Sequence, residues 1–164
     1  MGRKYLIPLL HWLPAMIGIA IIMTESTDAM SVSHTSRWLL PLWVKLFGPV
    51  TAAQWDETHR IIRKTGHFVG YGAVSMGFFH SWWWSLRQWT IQSRKSLFRY
   101  AAALALASTL FLASADEWHQ SFIPSRKSSP IDVGIDLCGA IAAHLVLFTL
   151  VLLISRLRVP KMRS

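Results

Sequence analysis

The sequence has a single cysteine, and it is poor in charge: 8 acids, with charged residues at only 15% of its 164 positions. A lone thiol excludes an intrachain disulfide and leaves at most one thiolate for a metal. That thiol, Cys138, lies in an apolar run and is expected to be a small core residue. The shortage of charge excludes an ordinary soluble domain, in which roughly a quarter of the residues are charged. A net charge of +9 is present, but no nucleic-acid-binding motif accompanies it, so nucleic acid is not an expected partner. In a membrane protein such an excess marks cytoplasmic loops and contacts with anionic lipid heads.

What the chain has in quantity is apolar surface, 52% of its residues. These residues fall in blocks of about twenty, the length a helix needs to cross roughly 30 Å of hydrocarbon. The expectation is a single all-α domain over residues 1–164, an integral membrane protein with four spans near 5–24, 66–86, 97–115 and 132–154. The first run contains Pro8 and Pro14 and lacks a clear small-x-small cleavage site, so it reads as an uncleaved span rather than a signal peptide. Between the first two spans, Trp38 to Phe47 is too short to cross. With two tryptophans, Lys45 and the preceding Arg37, it reads as an amphipathic helix lying in the interface, stopped by Gly48-Pro49. Thr51 to Thr65 reads as a separate helix, with Asp56 and Glu57 early and Arg60, Arg63 and Lys64 late, as the helix dipole favours.

The basic residues orient the chain. The N-terminus, the 87–99 loop and the tail hold Arg3, Lys4, Arg87, Arg94, Lys95, Arg99, Arg156, Arg158, Lys161 and Arg163, with no acid among them. All 8 acids fall in the remaining segments. Both termini are therefore expected in the cytoplasm, with 25–65 and 116–132 facing outward.

Polar residues gather at the outward ends of three spans. Lys64, His67 and Tyr71 are spaced i, i+3, i+7 and share a helix face. Asp116 and Gln120 form an i, i+4 pair at the end of the third span, beside Glu117. Asp132 and Asp136 do the same at the start of the fourth, with Arg126 in the connection between. Asp136 is one turn into an apolar run, where an acid is costly without a partner or a role. Gly66-x-x-x-Gly70 and Gly139-x-x-x-Ala143 are small-residue pairs that would let these helices approach. His11 and His144 read as satisfied interior histidines, and His80 as an interfacial hydrogen-bonder.

The motifs Lys64-x-x-His67-Phe68-x-x-Tyr71 and Asp116-Glu117-x-x-Gln120-x-Phe122, then Arg126, then Asp132-Val133-x-x-Asp136-x-x-Gly139-Ala140, resemble those of the VanZ-like membrane protein family over roughly residues 60 to 145. That pattern usually has Asn where Asp136 stands and Gly where Ala143 stands. The resemblance implies a small multi-span protein of the bacterial plasma membrane. It also implies a link to low-level teicoplanin resistance, the property of the member that named the family. No settled reaction and no cofactor come with it.

Three uses of the cluster stay open. Lys64, His67 and Arg126 can hold an anionic lipid or an envelope-precursor head group, oriented by Tyr71 and Gln120. Asp116, Glu117, His119, Asp132 and Asp136 can instead serve an enzyme acting on a lipid-linked substrate, as acid/base groups with His67 or as ligands of a divalent cation. Finally, Lys64 and Arg126 can simply neutralise Asp116, Glu117 and Asp132 as a structural network. Ser125-Arg126-x5-Asp132-x3-Asp136 is similar to a motif of membrane lipid phosphatases. Asp132 occupies the place of their essential histidine, however, and no Pro-Ser-Gly-His stretch exists, which excludes a phosphohistidine route.

Overall fold

The computed structural model describes residues 3–88, 93–126 and 128–157, with side chains from residue 9 onward. Trp89, Lys127 and the tail beyond Leu157, with its Arg158, Lys161 and Arg163, lie outside the described residues. Among the described residues the fold is all-helical: α1 (Arg3–Glu25), a short 3-10 turn (Asp28–Met30), α2 (Val32–Phe47), α3 (Ala52–Arg87), α4 (Arg94–Gln120) and α5 (Pro130–Leu157).

Local chemistry sets these boundaries. Gly48 ends α2 at φ +93°, a conformation that favours glycine, and its N–H donates to Val44 O at 3.0 Å. Thr51 opens α3 with a capping box: Thr51 Oγ1 accepts from Gln54 N at 3.3 Å, and Gln54 Oε1 accepts from Thr51 N at 2.9 Å. From that cap α3 runs 36 residues without a break. The separate helix expected over 51–65 is therefore the first part of one long helix. Thr65-Gly66 offers no proline to stop it, and a glycine inside a helix costs only about 1 kcal/mol. α2 likewise starts six residues before Trp38, at Val32. α4 continues through Asp116–Gln120, so that the polar connection expected to begin at Asp116 begins at Ser121.

α3 is the central element and packs on α1, α4 and α5. It lies antiparallel to α1: Ser81 Oγ donates to His11 O at 3.0 Å and Trp12 Nε1 to Ser85 Oγ at 3.1 Å, while a Cβ on Gly77 would meet the Pro14–Ala15 backbone at 3.1 Å. His11 stacks on Trp84 at 4.3 Å, and His80 is exposed close by. Antiparallel α4 joins through Trp82 Nε1, which donates to Ser108 Oγ at 3.0 Å. α5 runs parallel to α3, and here the backbones come closest: a Cβ on Gly139 would sit 2.0 Å from Phe68 O. Gly72 faces Gly139 and Ala143 from the other side. Gly139 and Ala143 thus serve the close approach expected of them. Gly66 and Gly70 do not, since a Cβ on either would meet nothing within 4 Å; they lie on another face of α3.

Among the described residues two helices, Arg94–Gln120 and Pro130–Leu157, are long and apolar enough to cross a membrane. The pair Leu9–Glu25 and Asp28–Phe47, bent by 76°, is a third candidate as a broken span or re-entrant loop. α3 is not among them, because Gly, Ser, His and Trp dilute its apolar residues over 66–86. Cys138 is exposed on α5, not part of the core. In an almost uniformly apolar helix the sequence carries no periodicity to tell the outer face from the inner one.

Candidate functional site: a basic mouth at one end of the bundle

The start of α3, the end of α4 and the start of α5 meet at one end, and each polar residue of the α3 stripe finds a partner across a helix boundary. Lys64 Nζ donates to Asp132 Oδ1 at 2.9 Å. His67 Nδ1 lies 3.2 Å from Asp136 Oδ1. Tyr71 OH donates to Asp116 Oδ2 at 2.9 Å, and Gln120 Nε2 donates to the same oxygen at 3.0 Å. Tyr71 and Asp136 are fully buried, so this ladder deepens from a half-exposed ion pair to a sealed floor. At that floor Ser26, at the end of α1, donates to Asp116 Oδ1, tying in a fourth helix. Glu117 Oε2 accepts from Ser129 N at 2.7 Å, which fixes the approach of the chain to α5. Among the described residues Glu117 Oε1 and Asp136 Oδ2 are buried without a hydrogen-bond partner.

Arg126 is 9% exposed, and among the described residues it forms no salt bridge with an acid. Its Nε donates to Gln120 Oε1 at 3.2 Å and its Nη1 to Met30 O at 2.8 Å. The expectation that it neutralises Asp116 or Glu117 directly is corrected: those carboxylates are taken by Tyr71, Ser26, Gln120 and Ser129. Met30 O also accepts from Arg63 Nη1 at 2.8 Å. Two guanidinium groups therefore converge on one carbonyl oxygen. Burial pushes Arg63 below its ordinary value, and the positive charge of Arg126 pushes in the same direction. Burial also lowers Arg126, against the pull of Asp116 and Glu117. Beyond them His59 is 2% exposed and sits between Thr35 Oγ1 and Ser36 Oγ of α2, each 3.0 Å away.

These groups line a cavity of about 510 Å³, whose polar wall is Asp56, His59, Arg60, Arg63, Lys64, His67, Gln120, Ser125, Arg126 and Asp132. A smaller space of about 180 Å³ shares its arginines and lies among Glu25, Trp38, Leu39, Arg63 and Arg126. Arg60 is held by Glu57, at 2.7 Å, and Lys64 by Asp132. Among the described residues Arg63 and Arg126 form no salt bridge; Asp132 and Glu25 act on Arg63, and Asp116 and Glu117 on Arg126, only through space, so the mouth presents two partly desolvated cations with no direct carboxylate contact.

A model of the VanZ/LLP1 family matches residues 10–153. The chain belongs to the VanZ/LLP1 family. The match reaches well beyond the stretch from about 60 to 145 that carries the motifs, into α1, α2 and the connection between them, which supplies Ser26 and Met30 to the mouth. No curated protein and no solved structure matches the chain.

In this VanZ/LLP1 protein all nine residues singled out from the sequence lie at the same end of the bundle. Lys64, His67, Gln120, Arg126 and Asp132 line the cavity; Tyr71, Asp116 and Asp136 form the buried layer beneath it, and Glu117 faces Ser129. His119 is exposed and does not join, because on α4 it points away from the face that carries Asp116 and Gln120. No three His, Cys, Asp or Glu among the described residues converge as ligands for a metal ion. Arg63 and His59 went unrecognised in the sequence, yet a signal for them existed. Trp55, His59, Arg63, His67 and Tyr71 recur every four residues, the same helix face extended upstream, hidden by reading 51–65 as a separate helix.

Proposed function

We propose that this protein is a four-span component of the bacterial plasma membrane, with both termini in the cytoplasm, whose mouth faces outward. There it binds an anionic lipid or an envelope-precursor head group. One observation carries the reading: Arg63 and Arg126 converge on Met30 O and face a cavity, and among the described residues neither forms a salt bridge with a carboxylate. Two like charges held together away from water repel each other, and an anion between them relieves that cost. Guanidinium forks suit phosphate oxygens in particular. In the same proposal α3 crosses from Gly66 onward and α2 lies along the interface. Any role in teicoplanin resistance follows from occupancy of this mouth.

Native mass spectrometry of the detergent-purified chain with added glycerol 1-phosphate, a phosphate head group without acyl chains, tests it. Retention of this ligand by the wild type should fall at least about tenfold in Arg63→Ala/Arg126→Ala, one charge-assisted contact being worth roughly 1.5–3 kcal/mol. Equal retention by wild type and variant would reject the anion pocket. A deletion strain challenged with teicoplanin, and complemented by wild type or that variant, tests the resistance link separately.

The pairing of His67 with a fully buried Asp136 favours one alternative, acid/base catalysis on a lipid-linked substrate. Asp136→Asn separates the two. It installs the residue usual in the VanZ-like pattern: a binding mouth keeps its complementing activity, whereas an acid/base pair loses it.

A further inference from the structure

At the opposite end of the bundle, between α3, α4 and α5, lies a second and larger groove of about 740 Å³. Its walls are apolar and aromatic. Phe79 meets Phe98 edge to face at 5.2 Å, and Phe98 leans on Phe148 at 6.1 Å. One end carries Arg94, Lys95 and Arg99, all exposed. None of the chain's 8 acids belongs to this end: they occupy positions 25–57, the end of α4 and the start of α5. The three cations thus have no carboxylate side chain to neutralise them. They also stand in the first two turns of α4, where a positive side chain opposes the helix dipole.

We infer that this groove is an intramembrane site for an acidic phospholipid, its head-group phosphate on Arg94, Lys95 and Arg99 and an acyl chain along Phe79, Phe98 and Phe148. Charge complementarity selects this occupant. A neutral lipid leaves the cations unpaired, and a soluble anion leaves the apolar wall uncovered. The volume lies within the roughly 300–1,000 Å³ of sites built for small amphiphiles. Basic loop residues that only orient the chain require no groove beside them. The site is distinct from the mouth in position and in residues, and its occupancy does not depend on the mouth binding anything.

The test compares phosphatidylglycerol with phosphatidylcholine of the same acyl chains, measured as retained adducts of the full chain by native mass spectrometry. Both groove variants are made in the Arg63→Ala/Arg126→Ala background, so that the mouth contributes no anion binding; there Arg94→Ala/Lys95→Ala/Arg99→Ala should lower the preference for phosphatidylglycerol about a hundredfold, each cation near an anionic head being worth roughly fivefold. Removing these cations can also disturb insertion. Leu152→Trp, which fills the groove and keeps the charges, is therefore the second variant and should lower retention of phosphatidylglycerol at this site. Arg63→Ala/Arg126→Ala should leave this preference standing. Equal retention of the two lipids by the wild type overturns the assignment, as does a preference that survives both groove variants or is abolished by the mouth variant alone.

Discussion

Arg63 and Arg126 share Met30 O, and that single backbone oxygen decides which cations of the mouth remain free for a ligand. Lys64 is the contrasting case. Its half-exposed pair with Asp132 contributes roughly 0–1 kcal/mol, so Lys64→Ala should barely move the melting temperature. Tyr71 is different again, because its hydroxyl is sealed against Asp116. Tyr71→Phe removes the donor and keeps the ring, and should destabilise by about 1–3 kcal/mol with helicity unchanged. Thermal unfolding in detergent distinguishes these outcomes, and a silent Tyr71→Phe would remove the Tyr71–Asp116 bond from those that hold the fold. His59 supplies a pH dependence. Burial, then Arg63, holds its imidazole below the ordinary 6.5. On acidification the unfolded chain takes up that proton first. The stability contributed by neutral His59 is therefore present above about pH 6.5 and declines as the pH falls below it. His59→Gln should flatten the acid side of the stability curve; a slope identical to wild type would refute this.

Among the elements, α3 carries the most. Its capped first part docks α2 through His59 and Trp55, its middle holds the stripe facing α4 and α5, and its last turns pack on α1. The crossing with α5 depends on Gly139. A methyl there would strike the Phe68 carbonyl, which is backbone and cannot turn aside. Gly139→Ala should cost at least about 1–3 kcal/mol and disrupt the Lys64–Asp132 and His67–Asp136 register, whereas Gly70→Ala should be tolerated. Comparing melting temperatures of the two variants checks this directly, and equal tolerance would place the close approach elsewhere. Only one of the two small-residue pairs visible in the sequence proves to be the tight one. A small-x-x-x-small spacing marks a face that permits approach, but which partner fills it depends on how the helices are rotated.

For the molecule as a whole, the proposed orientation predicts that a cysteine at Ser128 is labelled by a membrane-impermeant reagent from outside and one at Ser93 only from inside. Both belong on a Cys138→Ala background, since Cys138 is exposed on α5. Labelling of both from one side would overturn the topology. Periodicity and charge placement suffice for the helical class, the stripe Lys64–His67–Tyr71 and the acids that answer it, because those signals are local: 3.6 residues per turn, and charges kept near water. Family motifs bring the same residues together without any geometry. Sequence alone leaves open the partner of Arg126, the convergence of Arg63 on Met30 O, the anchoring of Asp116 by Ser26 across 90 residues, and the outward face of Cys138. Each of these depends on how helices rotate and approach one another. In a chain this apolar, with backbone carbonyls that no side-chain pattern reveals, tertiary packing alone makes that choice.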